Sequence, residues 1–312
     1  MKKIFVTGGT GFIGSNLIEK LSKTEEYDIY ALVRYISNRT PSFPENVKVV
    51  YGDLRDGLMI KKIIKDISPE IVLHLGAISP VQHSFGHSQE VMETNFIGTI
   101  NLAESNLENS NLKKFIMAGT SEMYGNNYYN PIRETDKLCP NQPYAISKVA
   151  SYNYLSYLKE AYNFPSCVVR PFNTYGRTEN FNFVTERIIY QMLTSKIVNL
   201  GDPSPIRDLL YVDDHVDGYM SILESQHLPD TVNLCTGKET SIEELTFLIQ
   251  DKLNFKGTVS WNKTMKRPTE IYYLVGDNSL AYTFLKWKPK IDLNTGLDLT
   301  IGKIKNKIRS LK

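Results

Sequence analysis

A doubly wound parallel α/β sheet with a smaller C-terminal α/β region is the architecture predicted for this 312-residue chain. Three observations predict it. Apolar strand-like runs alternate with helical patterns over the first half, a glycine-rich turn joins the first strand to the first helix, and after Arg170 the rhythm gives way to short segments broken by Pro171, Pro203 and Pro205. Near-continuous apolar strands separated by helices are what a parallel sheet covered on both faces requires.

The elements follow in order. Lys2 to Val6 reads as a buried strand, Asn16 to Leu21 as an apolar helical stripe, and Asp28 to Val33 as a second strand at βαβ distance. Further strands are predicted at Lys48 to Tyr51, Ile71 to Leu75, Phe115 to Ala118 and Ser166 to Val169. Beyond them come a helix over Phe183 to Thr194, a return to the first domain near Val232 to Cys235, and a helix over Ser241 to Leu253. Ser241 and Glu244 make a capping box for that last helix. The expected division is a first domain of residues 1–171 with a return segment at 208–238, and a second of 172–207 and 239–312.

Between the first strand and helix lies Phe5-Val6-Thr7-Gly8-Gly9-Thr10-Gly11-Phe12-Ile13-Gly14. Gly8 suits a tight turn, Gly11 a close approach of backbone to a pyrophosphate, and Gly14 close packing of helix on strand, while Phe12 and Ile13 open the helix whose N-terminus faces the phosphates. Such a turn also serves plain chain reversal, but the flanking strand and helix favour a dinucleotide cradle. The second strand ends in Arg34, with Arg39 close behind, where an NAD site presents an acid to the ribose hydroxyls. The cations favour NADP(H), with NAD, or arginines merely solvated in a loop, as the alternatives.

Composition narrows the class. Hydrophobic content of 41%, charged content of 22% and a net charge of +2 describe an ordinary globular protein without a nucleic-acid surface. Met1 leads directly into a strand and no apolar run approaches membrane-spanning length, which predicts a cytoplasmic protein. Cys139, Cys167 and Cys235 are odd in number and far apart, so they read as buried small apolar groups rather than disulfides or metal ligands. Asp213-Asp214-His215 is read as a helix cap with early-turn acids, not a metal site, and His74 as a packed strand residue. Tyr152, Tyr154, Tyr157 and Tyr162 are read as packing or subunit-contact residues.

The chemistry concentrates in two places. Tyr144 and Lys148 stand four apart, on one face of a helix, where a lysine ammonium would lower a phenol pKa and let it take a proton from a substrate hydroxyl. Thr120-Ser121-Glu122-Met123-Tyr124-Gly125 follows a strand, at the carboxyl end where open α/β sheets bind ligands.

With these residues the chain resembles the extended short-chain dehydrogenases that modify nucleotide sugars, Rossmann-type enzymes, and the resemblance runs over nearly its whole length. Thr120, Tyr144 and Lys148 match that family's triad, with Ser121 beside it. Asp53, followed by Leu54, matches its adenine contact, and Leu75-Gly76-Ala77 and Pro171-Phe172-Asn173 match the segments lining its nicotinamide and sugar pockets. Thr120-Ser121-Glu122 with Tyr124-Gly125, Leu75 to Val81 with Ser79, Asn182-Phe183-Val184-Thr185 and Arg267-Pro268-Thr269-Glu270 look most like the GDP-mannose 4,6-dehydratases. That resemblance implies Glu122 as general base, Arg207 and Arg267 on the diphosphate, and Ser79, Asn173, Asn182, Val184 and Glu270 around the substrate. A metal is not implied.

A carboxylate beside Thr120 also makes chemical sense on its own, because oxidation of a sugar at C4 acidifies the C5 proton that an elimination must remove. A nucleotide-sugar 4,6-dehydratase is therefore the favoured expectation. A 4-epimerase, a 4-keto-6-deoxy-sugar reductase, a UDP-glucuronate decarboxylase and a retaining UDP-N-acetylglucosamine 4,6-dehydratase stay open, as does an NADP(H)-sensing regulator. The short loop between Arg34 and Asp53 departs from the longer arginine-bearing insertion that supports a tetramer in the dehydratases. Pairing through the Tyr144 helix and the helix after Asn95 implies a homodimer.

Overall fold

The structure, a computed structural model, describes residues 1–35, 42–126, 131–262, 264–265 and 268–310. The chain separates into two compact units: residues 1–125, 138–170 and 219–232, and residues 126–137, 171–218 and 233–312.

The first unit is laid out by β1 (Lys2–Thr7), α1 (Phe12–Ser22), β2 (Tyr27–Val33), β3 (Val47–Tyr51), α2 (Gly57–Ile67) and β4 (Ile71–His74). Two short helices, α3 (Val81–Gly86) and α4 (Ser88–Met92), lead through a π-helical turn, Glu93–Ile97, into α5 (Gly98–Ser105). Then come β5 (Lys114–Ala118), a 3₁₀ turn (Ser121–Tyr124), α6 (Pro143–Tyr162) and β6 (Ser166–Pro171). The sheet runs β6-β5-β4-β1-β2-β3, parallel throughout these six strands, and a seventh strand, Thr231–Leu234, lies beside β6. Chain order reverses between β1 and β4, so a crevice opens beyond Thr7 and His74, the last paired residues of those strands.

Local chemistry explains these elements. β1 buries Ile4 to Thr7 completely, and α1 lays Gly14, Leu17, Ile18 and Leu21 against the sheet. Asp56 caps α2 by accepting from the Met59 N–H at 3.0 Å, and the isoleucines at 60, 63, 64 and 67 make its buried stripe. They pack with Leu102, Phe115, Leu155, Leu158 and Phe164 into one continuous core. α6 starts with Pro143 in its first turn and the Gln142 side chain accepting from the Tyr144 N–H at 2.8 Å, which fixes where Tyr144 enters the helix.

The second unit is built differently. β7 (Asn173–Tyr175), α7 (Val184–Thr194), β8 (Ile197–Leu200), β9 (Ile206–Arg207), β10 (Leu209–Tyr211) and α8 (Val212–Glu224) come first, α8 crossing from this unit into the other. After β11 (Thr231–Leu234) follow β12 (Thr240–Ser241), α9 (Ile242–Leu253), β13 (Thr258–Trp261), β14 (Tyr273–Leu274), α10 (Ser279–Leu285) and α11 (Leu293–Ser310). Its strands form small sheets, β10-β7, β12-β9-β14 and β13-β8. Ser241 caps α9 by accepting from the Glu244 N–H at 3.0 Å.

The boundaries differ from the expected ones at residues 126–137, 171, 208–218 and 233–238, all of which lie in the second unit. Long-range pairing is the reason. Ile132 donates to Val275 and accepts from Asp277, Asn233 donates to the Glu134 carboxylate at 2.7 Å, and the buried Asp208 carboxylate gathers Thr236 and Gly237 N–H groups at 2.8 Å. Asp213 and Asp214 are the acids of the first turn of α8, and Asp214 also reaches beyond its own helix. Its carboxylate accepts from the Lys290 and Ile291 N–H groups at 3.0 and 2.8 Å, tying down the approach to α11. Cys139 is exposed, unlike the buried Cys167 and Cys235, because its backbone rather than its thiol packs against the 3₁₀ turn through an N–H bond to the Met123 carbonyl.

Candidate active site

The glycine turn is shaped as a cradle. Gly8 has φ +73°, and a Cβ there would stand 2.6 Å from the Gly76 nitrogen, so only glycine lets the β1 and β4 turns approach this closely. A Cβ on Gly14 would meet the Gly8 carbonyl at 2.2 Å. Gly11 donates to Gly8 at 2.9 Å and stands as the N-cap of α1 without a side-chain cap or an acid in the first turn, which leaves the helix N-terminus suited to an anion. Phe12 and Ile13 follow in the first turn of that helix.

The loop after β4 is braced from beneath. Gly76 donates to the Thr7 hydroxyl at 3.0 Å, Thr7 bonds His74 Nδ1 at 2.8 Å, and His74 Nε2 bonds Thr99 at 2.9 Å. Burial pushes the His74 pKa down to about 3, with the Lys148 charge acting in the same direction, so the ring is neutral and serves as a strut. Leu75, Gly76 and Ala77 are half-buried along this loop and Ser79 is exposed at its end. Asn95, fully buried, was not singled out from the sequence. It accepts from the Ile78 N–H at 2.8 Å and donates to Ser147 at 3.0 Å, joining the loop to α6 between Tyr144 and Lys148. Its position in the π-helical turn is the only local signal, and such turns are invisible to periodicity.

At the far side of the glycine turn, Asp53 is half-buried beside buried Leu54 and takes a two-pronged ion pair from Arg55, whose hydrogen bonds hold its carboxyl below the usual range against the effect of burial. Arg34 is exposed and its charge acts on Asp53 as well. Arg39 lies outside the described residues.

The 3₁₀ turn after β5 carries the reactive groups. Thr120 caps it by accepting from the Glu122 N–H at 3.3 Å, and Ser121 and Glu122 are almost wholly buried. Gly125 ends the turn at φ +62°, where a Cβ would collide with the Cys139 carbonyl at 1.8 Å. The Thr120 side chain is close enough to act on the Tyr144 phenol. Burial raises the phenol well above its ordinary range, the Thr120 side chain works to lower it, and the Glu122 charge raises it again. Lys148 does not pair with the phenol: its ammonium donates to the Ala118 carbonyl at 2.7 Å, and burial lowers its pKa to about 8. The expected lysine-driven lowering is therefore not what acts on Tyr144 here: desolvation is the largest influence, and the lowering comes from Thr120. Thr120, Glu122 and Tyr144 are brought together, and Lys148 lies one turn further along α6.

In the second unit, Arg207 on β9 is buried, with Nη2 donating to Glu270 Oε1 at 3.1 Å and Nη1 to the Ile206 carbonyl at 3.0 Å. Neighbouring β12 and β14 hold the strand that presents it. Val184 opens α7, Asn173 opens β7, and Asn182 is exposed in the approach to α7. Arg267 lies outside the described residues. Among the described residues no group of His, Cys, Asp and Glu side chains is placed to hold a metal ion, and no helix is long and apolar enough to cross a membrane.

A glycine turn at the sheet's switch point, with Thr120 after the fifth strand and Tyr144 and Lys148 on α6, is a Rossmann-type α/β arrangement. Comparison with known proteins narrows this. The family profile described as GDP-mannose 4,6 dehydratase matches residues 5–300. GDP-mannose 4,6 dehydratase 1 of Arabidopsis thaliana is 32% identical over 93% of this chain and 86% of its own. Among solved structures, a UDP-glucose 4-epimerase of Thermotoga maritima with UDP-glucose superposes with a TM-score of 0.90 at 28% identity, over 98% of this chain and 99% of that one. A UDP-glucuronic acid 4-epimerase of Bacillus cereus with UDP-glucuronic acid and NAD gives 0.88 at 26%, over 97% and 99%. The chain belongs to the GDP-mannose 4,6-dehydratase family within the extended short-chain dehydrogenases/reductases, an enzyme family of nucleotide-sugar dehydratases and epimerases.

Proposed function

We propose that the protein is a nucleotide-sugar 4,6-dehydratase that makes a 4-keto-6-deoxy sugar nucleotide. The observation that carries this reading is Glu122, a nearly buried carboxylate on the Thr120 turn whose charge is felt by the Tyr144 phenol. The cradle of Gly8, Gly11 and Gly14 fits a dinucleotide, with Phe12, Ile13, Leu75, Gly76 and Ala77 along it, Asp53 and Leu54 toward the adenine, and Tyr144 and Lys148 toward the nicotinamide ribose. Exposed Arg34 favours NADP over NAD. A nicotinamide cofactor supplies the oxidation and later reduction of the sugar when bound.

The chain's own residues move the protons. Tyr144, with Thr120 beside it, takes the proton of the C4 hydroxyl as that carbon is oxidised. The resulting ketone acidifies the C5–H bond, and Glu122 removes that proton and delivers one to the C6 hydroxyl, which departs as water. Arg207, with Arg267, holds the diphosphate by charge-assisted bonds, and Ser79, Asn173, Asn182, Val184 and Glu270 shape the sugar-nucleotide site. Free thiols at Cys139, Cys167 and Cys235 suit a cytoplasmic enzyme. The exposed Tyr157 and Tyr162 on α6, in ring contact with each other, suit a homodimer interface.

Glu122→Gln tests the reading. The purified variant, given GDP-mannose, UDP-glucose, UDP-N-acetylglucosamine and UDP-glucuronate in turn, should lose dehydration of whichever the wild type consumes by about 10²- to 10⁴-fold. Mass spectrometry should show a 4-keto sugar that has not lost water. A 4-epimerase is the second reading, favoured by the two solved 4-epimerases above. It needs no acid–base group at C5, so near-wild-type conversion by Glu122→Gln, without mass change, would replace the first reading with the second.

A further inference from the structure

We propose that Arg170 is a positioning residue that sets the distance between the Thr120 turn and the Tyr144 helix. Arg170 stands near the end of β6, is 1% exposed, and is the bulkiest of the fully buried side chains. Its guanidinium lies against two aromatic rings, 5.1 Å from the centroid of Tyr124 and 4.8 Å from that of Tyr152, and Nη1 donates to the Tyr124 hydroxyl at 2.9 Å. Tyr124 is the last residue of the 3₁₀ turn that carries Thr120 and Glu122. Tyr152 follows Tyr144 and Lys148 at i+8 and i+4 on α6, on the same helical face. One side chain therefore touches both elements that must meet for proton transfer.

The residue type is informative. A buried guanidinium is costly to desolvate, and an apolar side chain of similar volume would fill this space at lower cost. What the arginine adds is directional: a planar cation between two π faces, with one N–H committed to a phenol oxygen, holds both rings at defined distances. The residues on either side of Tyr124 have no slack either, since the Cys139 N–H bonds the Met123 carbonyl at 3.1 Å and Gly125 lies against the Cys139 carbonyl. Arg170 is the restraint on the β6 side. If it yields, Thr120 shifts from Tyr144 and the reacting groups lose alignment, while the groups that bind the nucleotide are untouched.

This inference rests on the assignment of Thr120 and Tyr144 to chemistry, so its test needs a readout that does not depend on turnover. Arg170→Lys keeps the charge and loses the planar stack. The expected result is a fall in kcat of about 10- to 100-fold with KM within about twofold, as a small misplacement of reacting groups produces. In protein without substrate, the ring ¹³C resonance of Tyr144, assigned by its disappearance in Tyr144→Phe, should shift in Arg170→Lys. A purely structural arginine would lower the melting temperature and leave both kcat per folded molecule and that resonance unchanged, which would overturn the proposal. Should Arg170→Lys fail to fold, Tyr124→Phe keeps the stack and loses only the hydroxyl acceptor. It should lower kcat by about 3- to 10-fold and shift the Tyr144 resonance, and wild-type values of both would overturn the proposal equally. If the wild type consumes none of the four sugar nucleotides, the functional reading fails by itself and the Tyr144 resonance still decides the role of Arg170.

Discussion

The two units place their functional side chains by different means. In the first, Gly8, Gly76, Thr120 and Tyr144 follow strand ends or a helix start of one continuous parallel sheet, whose pleat sets where each stands and whose distant residues such as Thr7 and Arg170 brace it. In the second, Arg207 sits on a two-residue strand that exists because residues 240–241 and 273–274 pair with it from far along the chain. On the proposed function, the groups that move protons are carried by the deeply buried sheet and the arginine that holds the sugar diphosphate by a scaffold of small sheets. On that reading, substitutions at Thr120, Glu122 and Tyr144 should be read in rate, and those at Arg207 in binding.

The largest expected contrast is between Tyr144→Phe and wild type. Removing the phenol oxygen should lower kcat by about 10³-fold, within the range for loss of an acid–base group, while titration calorimetry finds sugar-nucleotide affinity within about twofold. Retained turnover would erase the division of labour between the units.

Acid stability gives a second, smaller contrast. His74 in the first unit and His215 in the second are both buried, the latter bonded to the Thr174 hydroxyl at 2.8 Å, and burial pushes each pKa down to about 3. A folded pKa below the unfolded value of about 6.5 means stability is present above pH 6.5 and is lost as pH falls from there toward 3. At pH 5 each histidine should cost about 2 kcal/mol. In the second unit Asp208 works in the opposite sense, since burial raises its carboxyl to about 6. It gains a proton on folding as pH falls from 6 toward 3.8, returning about 1 kcal/mol at pH 5. The first unit should therefore loosen before the second between pH 7 and 5. Hydrogen exchange should show protection lost earlier in β1, β4 and α5 than in β9, β12 and β14, and the reverse order would contradict these ionisation states.

The smallest effect belongs to Arg207. Arg207→Ala should raise KM about tenfold with kcat within about threefold, because diphosphate binding is largely equal in ground and transition states. A fall in kcat with unchanged KM would move Arg207 from binding to chemistry and blur the contrast.

Much of the first unit was legible in the chain because its signals are local. Strands predicted at Ile71 to Leu75 and Ser166 to Val169 occur at Ile71–His74 and Ser166–Pro171, and the Ser241 cap stands where its sequence pattern puts it. Glycine spacing, strand alternation and a Tyr-x-x-x-Lys pair depend on neighbours within a few residues, and the sequence by itself determined them. The tertiary structure alone decided the rest. Residues 126–137 join the second unit through hydrogen bonds to residues near 233 and 275. Lys148 bonds Ala118 rather than Tyr144 because β5 runs beside α6 at that level. Asn95 and Arg170 acquire their roles only when segments about 50 residues away, Ser147 and Tyr124, close around them. Desolvation likewise depends on everything packed around a group, so the raised Tyr144 and lowered His74 belong to the folded protein and not to any motif.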